Sequence, residues 1–269
     1  MATVNVTSWA EFLEAAAVSG DTVVCPENAV WDIAEIEPEG HSGSITFASD
    51  VVGNGTTIKN LVLTGIGIGG SAFDATGGTS TQHRSISGLN IINATFEVAS
   101  ANIFIGNYAD FELCTFSMLA RGANKFVGDA CNVYRCAANI ETTAGTFTIG
   151  GNNAKFDYFN CKISGSGLTA FRNYPASYSN RSAKVNNSYI ILDTPSITTL
   201  AFNAGNSNVF RCTGANVTSL TGYTATSFSL AVDTDFPNLT SASSGWKFVT
   251  EAQLRDAAYL QSIGFPIGV

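Results

Sequence analysis

Four short segments decide the fold, and each contains a cysteine: ADFELCTF (109–116), CNVYRCAA (131–138), FDYFNCKI (156–163) and SNVFRCTG (207–214). In each segment an apolar residue, one intervening residue and a turn-forming residue precede the cysteine. The same frame fits TIKNLVL, NIINATF and KVNNSYI, which gives seven frame positions: Leu61, Ala94, Cys114, Cys136, Cys161, Ser188 and Cys212. They recur about every 25 residues, but irregularly, which is typical of coils with variable loops rather than of tandem helical repeats.

The residue before each frame position predicts a sharp bend. Four of these seven residues are asparagine, which tolerates a left-handed backbone better than most residues. The seven are Asn60, Asn93, Leu113, Arg135, Asn160, Asn187 and Arg211. Apolar residues at strand spacing flank the bend, and the spacers show no helical pattern. The sequence therefore predicts an all-β solenoid, with small side chains stacked at the corner and phenylalanine columns inside.

A helix is predicted near each end, where a solenoid leaves backbone groups unpaired. Ser8 to Glu11 form a capping box, and Gly20 ends the first helix. Thr250 to Gln253 form another before a helix expected over about 251–263. The predicted regions are a cap over 1–20, the coils over 21–232 and a tail over 233–269.

The first helix is expected to cover the first coil. For the tail, two alternatives stay open: it covers the last coil, or it docks a partner. Trp246 and Phe248 are expected to anchor the second helix.

Composition excludes several functions. The 269 residues include 13 basic and 21 acidic ones, for a net charge of −8, and 45% are hydrophobic. Such a chain is predicted to be folded and not to bind nucleic acid, which requires concentrated positive charge. The sequence contains no run of about 18 apolar residues, so no membrane-spanning segment is predicted. The opening MATVNVTSWAEFLEAAA lacks the pattern of a signal peptide, so synthesis in a cytoplasm is expected.

The six cysteines form no CxxC pair, and His41 lies far from His83 in the sequence. We therefore predict no structural zinc, no other metal and no cofactor. We expect reduced, buried thiols rather than a disulfide framework.

These features carry a resemblance. The stretches SWAEFLEAAAVSGDTVVCPENAVWDI (8–33), GNGTTIKNLVLTG (53–65) and SISGLNIINATF (85–96) resemble the opening coils of right-handed parallel β-helix proteins of the pectin-lyase-like superfamily. With the tail AAYLQSIGFPIGV, the chain is also similar to phage and prophage β-helix proteins. The resemblance implies a single-stranded right-handed parallel β-helix over roughly 1–215. It implies no single activity, since this fold serves lyases, hydrolases, adhesins and phage spikes.

Candidate catalytic residues are sparse. The aspartates are scattered, and only Asp110 and Asp157 are expected on one outer face, as either a functional or a merely solvated pair. His83 is either a loop-borne catalytic residue beside Asp74 or part of an ordinary polar loop. Arg135 and Arg211 are expected at equivalent bends, pointing outward toward an anionic glycan, a neighbouring subunit or solvent.

The loop over 171–181 is the candidate ligand-binding segment. It clusters two arginines and two tyrosines, which suit carbohydrate stacking or a protein interface. The predicted ligand contacts are Arg172, Tyr174, Tyr178 and Arg181. The alternative is a loop folded back on the solenoid, with its tyrosines covering apolar surface.

Together with the resemblance, these observations lead us to expect a non-catalytic bacteriophage virion protein, a spike, fibre or surface-decoration subunit made in the host cytoplasm. Other virion proteins are the expected partners, with self-association as a homotrimer and binding of a surface glycan left open. The alternatives are a polysaccharide lyase or glycoside hydrolase, and a glycan-binding module.

Overall fold

The computed structural model describes residues 2–67, 70–79, 81–172, 183–201, 207–213, 216–221 and 229–265, without the side chains of 97–102, 122–124 and 221. The described chain is mostly β, and its sheets are parallel. Its strands form three sets, which we call the first, second and third ladders. Within a ladder, each strand pairs in parallel with the strands one coil before and one coil after it.

The first ladder contains eight strands: Thr3–Asn5, Thr22–Val24, Asp50–Val52, Arg84–Ser87, Ala109–Glu112, Asn132–Tyr134, Lys155–Asp157 and Lys184–Asn186. The second ladder contains Val30–Asp32, Thr57–Lys59, the beginnings of Asn90–Ile105 and Thr115–Val127, then Ala137–Thr142, Asn160–Ser164, Tyr189–Asp193, Val209–Thr213, Ser229–Val232 and Trp246–Val249. His41–Ser42 and Val62–Ile66 pair beside its first coils.

The third ladder contains Ile45–Thr46, Ser71–Asp74, the ends of the two long strands, then Thr146–Gly150, Ala170–Arg172, Thr199–Ala201, Ser219–Thr221 and Ser241–Ala242. The parallel pairing therefore extends past the predicted 21–232 at both ends, to Thr3 on one side and Val249 on the other. These outer strands are short, so their alternation is too brief to identify them in the sequence.

Most of the described coils enter the second ladder through one residue with a left-handed backbone. Eight successive coils place there a residue with φ between 49° and 79°: Asn28, Gly55, Gly88, Leu113, Arg135, Tyr158, Asn187 and Ser207. A one-residue bend was predicted, and three of these eight residues were predicted for it: Leu113, Arg135 and Asn187. Only two of the eight are glycine, so the remaining coils hold a side chain in a conformation that L-residues seldom adopt.

The sequence frame placed Cys114, Cys136 and Ser188 correctly at this bend but was wrong about Leu61, Ala94, Cys161 and Cys212. The observed column runs Thr56, Leu89, Cys114, Cys136, Phe159, Ser188 and Asn208. Cys161 pairs with Ala138 and Cys212 with Leu192, two and four residues beyond the column. A shift by an even number leaves every side chain on the same face of a strand, so apolar alternation cannot detect it.

Asn60 and Asn93 mark a different bend, inside the second ladder. Both residues have positive φ, and the Nδ2 of Asn93 donates to the Oδ1 of Asn60 over 2.7 Å. In the next coil this bend disappears, because Ile91 pairs with Phe116 and Ala94 with Met118. Two residues of one strand thus face a single residue of the other, which is a β-bulge.

The small polar residues of the bend column satisfy backbone groups of the preceding coil. The donors reach the carbonyl two residues before the preceding bend: Thr56 Oγ1 to Pro26 at 2.5 Å, Cys114 Sγ to Ile86 at 3.6 Å, Cys136 Sγ to Phe111 at 3.5 Å and Asn208 Nδ2 to Val185 at 2.7 Å. Cys131 makes the same contact with Gly106 at 3.0 Å beside a second bend. These cysteines therefore serve as weak hydrogen-bond donors as well as small core residues.

Phenylalanine rings form a continuous column through the core. Successive ring centroids lie 5.3 to 6.2 Å apart along Phe12, Phe47, Phe73, Phe104, Phe126 and Phe159. Two of these five pairs are edge-on and three are stacked, both of which the ring quadrupole allows. All six cysteines are free and buried in the same interior.

The N-terminal helix α1 (Trp9–Ala16) begins at Ser8, whose hydroxyl accepts from the Glu11 N–H. The Glu11 carboxylate accepts from the Thr7 N–H at 2.7 Å, so the predicted box closes one residue earlier than expected. Phe12 is buried, and the Ala16 carbonyl accepts from Ala48 at 2.7 Å. Helix α1 therefore lies against the first coil.

The tail contains two short helices, α3 (Glu251–Leu254) and α4 (Ala257–Ser262), where one was predicted. The break falls at Asp256, whose carboxylate accepts from Ala258 and Tyr259 and starts a new helix. A further short helix, α2 (Ile33–Ile36), and a 3₁₀ turn, Asp233–Asp235, complete the helical segments of the described residues.

The tail packs on the side of the stack. Its apolar residues contact the outward side chains of the last strands of the second ladder, forming a small cluster: Leu230, Val232, Val249 and Phe265, with Val209, Leu254, Tyr259, Leu260 and Ile263. Trp246 and Phe248, the predicted anchors of the second helix, are not part of this cluster. Trp246 packs inside on Phe210 at 4.9 Å, and Phe248 contacts Phe236 while remaining 38% exposed.

Candidate functional site

The outward side chains of the first ladder form what we call the polar face. Between the outward positions lie buried apolar residues such as Phe111, Val133 and Phe156, which hold each strand on the core. The register aligns the outward residues in two columns: Asp50, Ser85, Asp110, Asn132, Lys155 and Lys184 in one, and Val52, Ser87, Glu112, Tyr134, Asp157 and Asn186 in the other. Strand alternation thus concentrates polar and charged groups on one flat surface.

A histidine–carboxylate pair lies on the first column. His83 Nδ1 is 2.6 Å from Asp110 Oδ1, and Asn132 Nδ2 donates to the same oxygen over 2.6 Å. The imidazole is largely covered, and its ring lies 6.0 Å from that of Tyr108. The structure therefore places His83 on Asp110, whereas Asp74 accepts hydrogen bonds from Ser71 and Thr76. The suggested partnership of His83 with Asp74 was wrong.

An exposed aromatic cluster lies where the polar face meets the bend. The rings of Tyr134 and Tyr158 are 5.8 Å apart and nearly perpendicular, and the guanidinium of Arg135 lies 4.9 Å above the Tyr134 ring. Tyr158 is 37% exposed and Leu113, at the same bend one coil before Arg135, is 57% exposed. We call these four residues the aromatic corner. Exposed rings beside a guanidinium provide a stacking surface with polar edges.

The far end of the first column is basic. Lys155 and Lys184 are directly paired in register on neighbouring strands, and both side chains are exposed. Within the described residues neither forms an ion pair. Like charges opposite each other in a sheet destabilise it, so this position favours an anionic group between the two ammonium groups.

The carboxylates of the polar face do not form a tight cluster. Asp110 and Asp157 share the face, as expected, but they lie two coils and one column apart, roughly 12 Å by strand geometry. Asp157 accepts from the Asn187 amide at 2.8 Å. Among the described residues, no three His, Cys, Asp or Glu side chains come together as a metal would require.

Of the four predicted ligand contacts in the loop over 171–181, one lies within the described residues. Arg172 lies in the third ladder, paired with Thr148 and Ala201, and its side chain is partly buried. Tyr174, Tyr178 and Arg181 lie outside the described residues.

The expectation that Arg211 is equivalent to Arg135 was wrong. Arg211 pairs with Ile191 inside the second ladder and has no positive φ. Its guanidinium contacts Asp235 at 2.7 Å and Glu251 at 3.0 Å, which ties α3 to the stack. The Asp235 hydrogen bond raises the pKa of Arg211. Arg211 is therefore part of a structural ion network.

Neither the aromatic corner nor the lysine pair was predicted from the sequence. The signal was present, because CNVYRCAA and FDYFNCKI both contain a tyrosine near the bend. Aligning the segments on Cys136 and Cys161 concealed it, since the correct alignment matches Arg135 with Tyr158.

Comparisons of the chain with protein-family models, curated proteins and solved structures found no match. In the described part of the chain, every helix is too short or too polar to cross a membrane.

Proposed function

We propose that this chain is a right-handed parallel β-helix of the pectin-lyase-like type, and that it is a non-catalytic structural protein whose polar face binds a surface glycan. Three parallel ladders, each advanced by one coil, support a β-helix. Right-handedness follows from the general rule that parallel strands of one sheet are joined by right-handed crossovers in about 98% of cases.

The observation that carries the binding function is the aromatic corner. Tyr134 and Tyr158 expose ring surface on neighbouring coils, whereas the phenylalanine rings of the core are buried. Sugar rings present apolar C–H faces that stack on such rings, and the hydroxyl groups then reach polar side chains beside them. Asn132 and Asn186 on the same face supply amides for these hydrogen bonds.

The lysine pair extends this surface. Lys155 begins the strand that leads to Tyr158, so the basic positions and the aromatic corner lie about 10 Å apart along one strand. That separation is comparable to two linked sugar units. A glycan lying across the face would place a carboxylate or phosphate substituent between Lys155 and Lys184.

The rigid scaffold supports the role of a bacteriophage virion protein, as a spike, fibre or decoration subunit. Strand pairing runs from Thr3 to Val249, and the phenylalanine column fills the interior. Local unfolding of such a stack should therefore be rare. Such a rod resists proteases and presents one flat face along its side. Other virion proteins and a second or third copy of the chain are its proposed partners.

Glycan hydrolysis is a second candidate, favoured by one specific observation. Asp110 and Glu112 both point outward from one strand, two residues and about 6.6 Å apart. That backbone spacing lets the two carboxyl groups adopt a separation of the kind that inverting glycosidases use. Binding is the better-supported function because the Asp110 carboxylate is already held by His83 and Asn132.

The test applies the purified chain to immobilised bacterial polysaccharides of the lipopolysaccharide and capsule types. The variant Tyr158→Ala should weaken binding about ten-fold, the equivalent of about 1.4 kcal/mol. Phe248→Ala is the matched control, because Phe248 is equally exposed but lies away from the polar face. Circular dichroism verifies that both variants fold.

Three results would decide against the proposal. The first is an equal loss of binding in both variants, and the second is no binding by the unaltered chain. The third is the release of new reducing ends that Asp110→Asn abolishes, which would establish the hydrolase instead.

A further inference from the structure

A groove of about 310 Å³ lies at the start of the stack, between the edge strand Thr3–Asn5 and helix α1. Its walls are apolar where Val4 meets Ala15 and Val18, and Val18 is 56% exposed. Asn5 places the groove at the outer end of the polar face, five strands from Tyr134, so it is independent of glycan binding at the aromatic corner. It lies at the free end of the first ladder, beside the outer edge of the strand Thr3–Asn5.

The edge strand offers unpaired backbone groups to this groove. The Val6 N–H donates to Val24 at 3.1 Å, and the Ala2 carbonyl accepts from Thr22 at 2.9 Å. In a parallel pair, alternate residues face the neighbouring strand, so the backbones of Thr3 and Asn5 face the opposite direction. Within the described residues these two backbones have no hydrogen-bond partner. The strand can therefore accept one more strand.

The rim of the groove is acidic. Glu11, Glu14 and Asp21 line it, and among the described residues no lysine or arginine does. The chain as a whole carries a net charge of −8, which disfavours a second copy of itself in this position. An occupant with positive charges and small apolar side chains complements both the rim and the walls.

We propose that the groove binds an extended, cationic segment of a partner protein, which adds to the first ladder as a ninth strand. Backbone hydrogen bonds to Thr3 and Asn5 hold the segment in register. Alternate side chains of the segment then point to Ala15 and Val18, while lysine or arginine residues reach Glu14 and Asp21.

The test uses the full chain and the peptide Lys-Val-Lys-Val-Lys, with Glu-Val-Glu-Val-Glu as the charge control, in a fluorescence titration. Asn5→Pro removes the outward N–H, and leaves the ladder bonds of Val4 and Val6 intact, since an edge strand tolerates proline there. Asn5→Ala is the matched control because it keeps the N–H. The cationic peptide should bind Asn5→Ala as it binds the unaltered chain, and at least ten-fold more weakly to Asn5→Pro.

A second variant guards against misfolding of the first. Glu14 is exposed, so Glu14→Lys should leave the fold intact while weakening the cationic peptide at least five-fold. Equal binding of Asn5→Pro and Asn5→Ala, equal binding of the two peptides, or no binding of the cationic peptide would each overturn the proposal. None of these outcomes affects polysaccharide binding at the aromatic corner.

Discussion

Replacing Phe12 by alanine tests whether helix α1 stabilises the end of the stack. Phe12 exposes none of its surface, and its ring contacts Trp9 at 5.6 Å, Trp31 at 5.5 Å and Phe47 at 6.2 Å. Truncating a buried phenylalanine costs about 3 to 5 kcal/mol through lost burial and the remaining cavity. We expect about 3 kcal/mol, because a helix at the end of the stack can shift to fill part of that cavity.

Guanidinium unfolding measures the loss, monitored by circular dichroism and by tryptophan fluorescence. Trp9 and Trp31 report on the N-terminal end, whereas Trp246 reports on the last coil. Stacked coils need not unfold in one step, so the fluorescence of the first two should change at lower denaturant than the dichroism. Glu14→Ala on the exposed side of the same helix is the control. A loss below 1 kcal/mol for Phe12→Ala, or one equal to the control, would refute a stabilising role for α1.

Two further perturbations test other parts of the structure. Arg211→Met leaves the mostly buried carboxylate of Asp235 without its guanidinium, so the free energy of unfolding should fall by about 2 kcal/mol; an unchanged guanidinium midpoint would contradict the ion network. Burial raises the pKa of the Cys25 and Cys131 thiols to about 12. The folded chain therefore holds these thiol protons more tightly than the unfolded chain. The stability that the two protonated thiols contribute is complete below about pH 8.5 and is lost as the pH rises toward 12. Unfolding midpoints at pH 8 and pH 10.5 should show this decline, and rapid reaction of a disulfide reagent with the native thiols at pH 8 would disprove it.

Local patterns predicted the repeating strands, the existence of a one-residue bend and the helical segments near the two ends. These features depend on neighbours in the chain: apolar alternation, residues that tolerate positive φ, and side chains that cap a helix start. The break at Asp256 was missed because its capping role competes with an otherwise continuous helical pattern. The apparent equivalence of Arg211 and Arg135 failed for the reason that misplaced Cys161, namely alternation that repeats every two residues.

The candidate sites depend on register, which no single segment contains. The sequence by itself determined that strands repeat about every 25 residues around an aromatic core. Only the tertiary structure decided that Tyr158 packs edge-on beside Tyr134, that Lys184 is paired in register with Lys155, and that His83 contacts Asp110 across a coil. Loops of unequal length set these alignments, and the backbone bonds between coils fix them. Moving a strand by two residues would preserve the core and remove both the aromatic corner and the lysine pair.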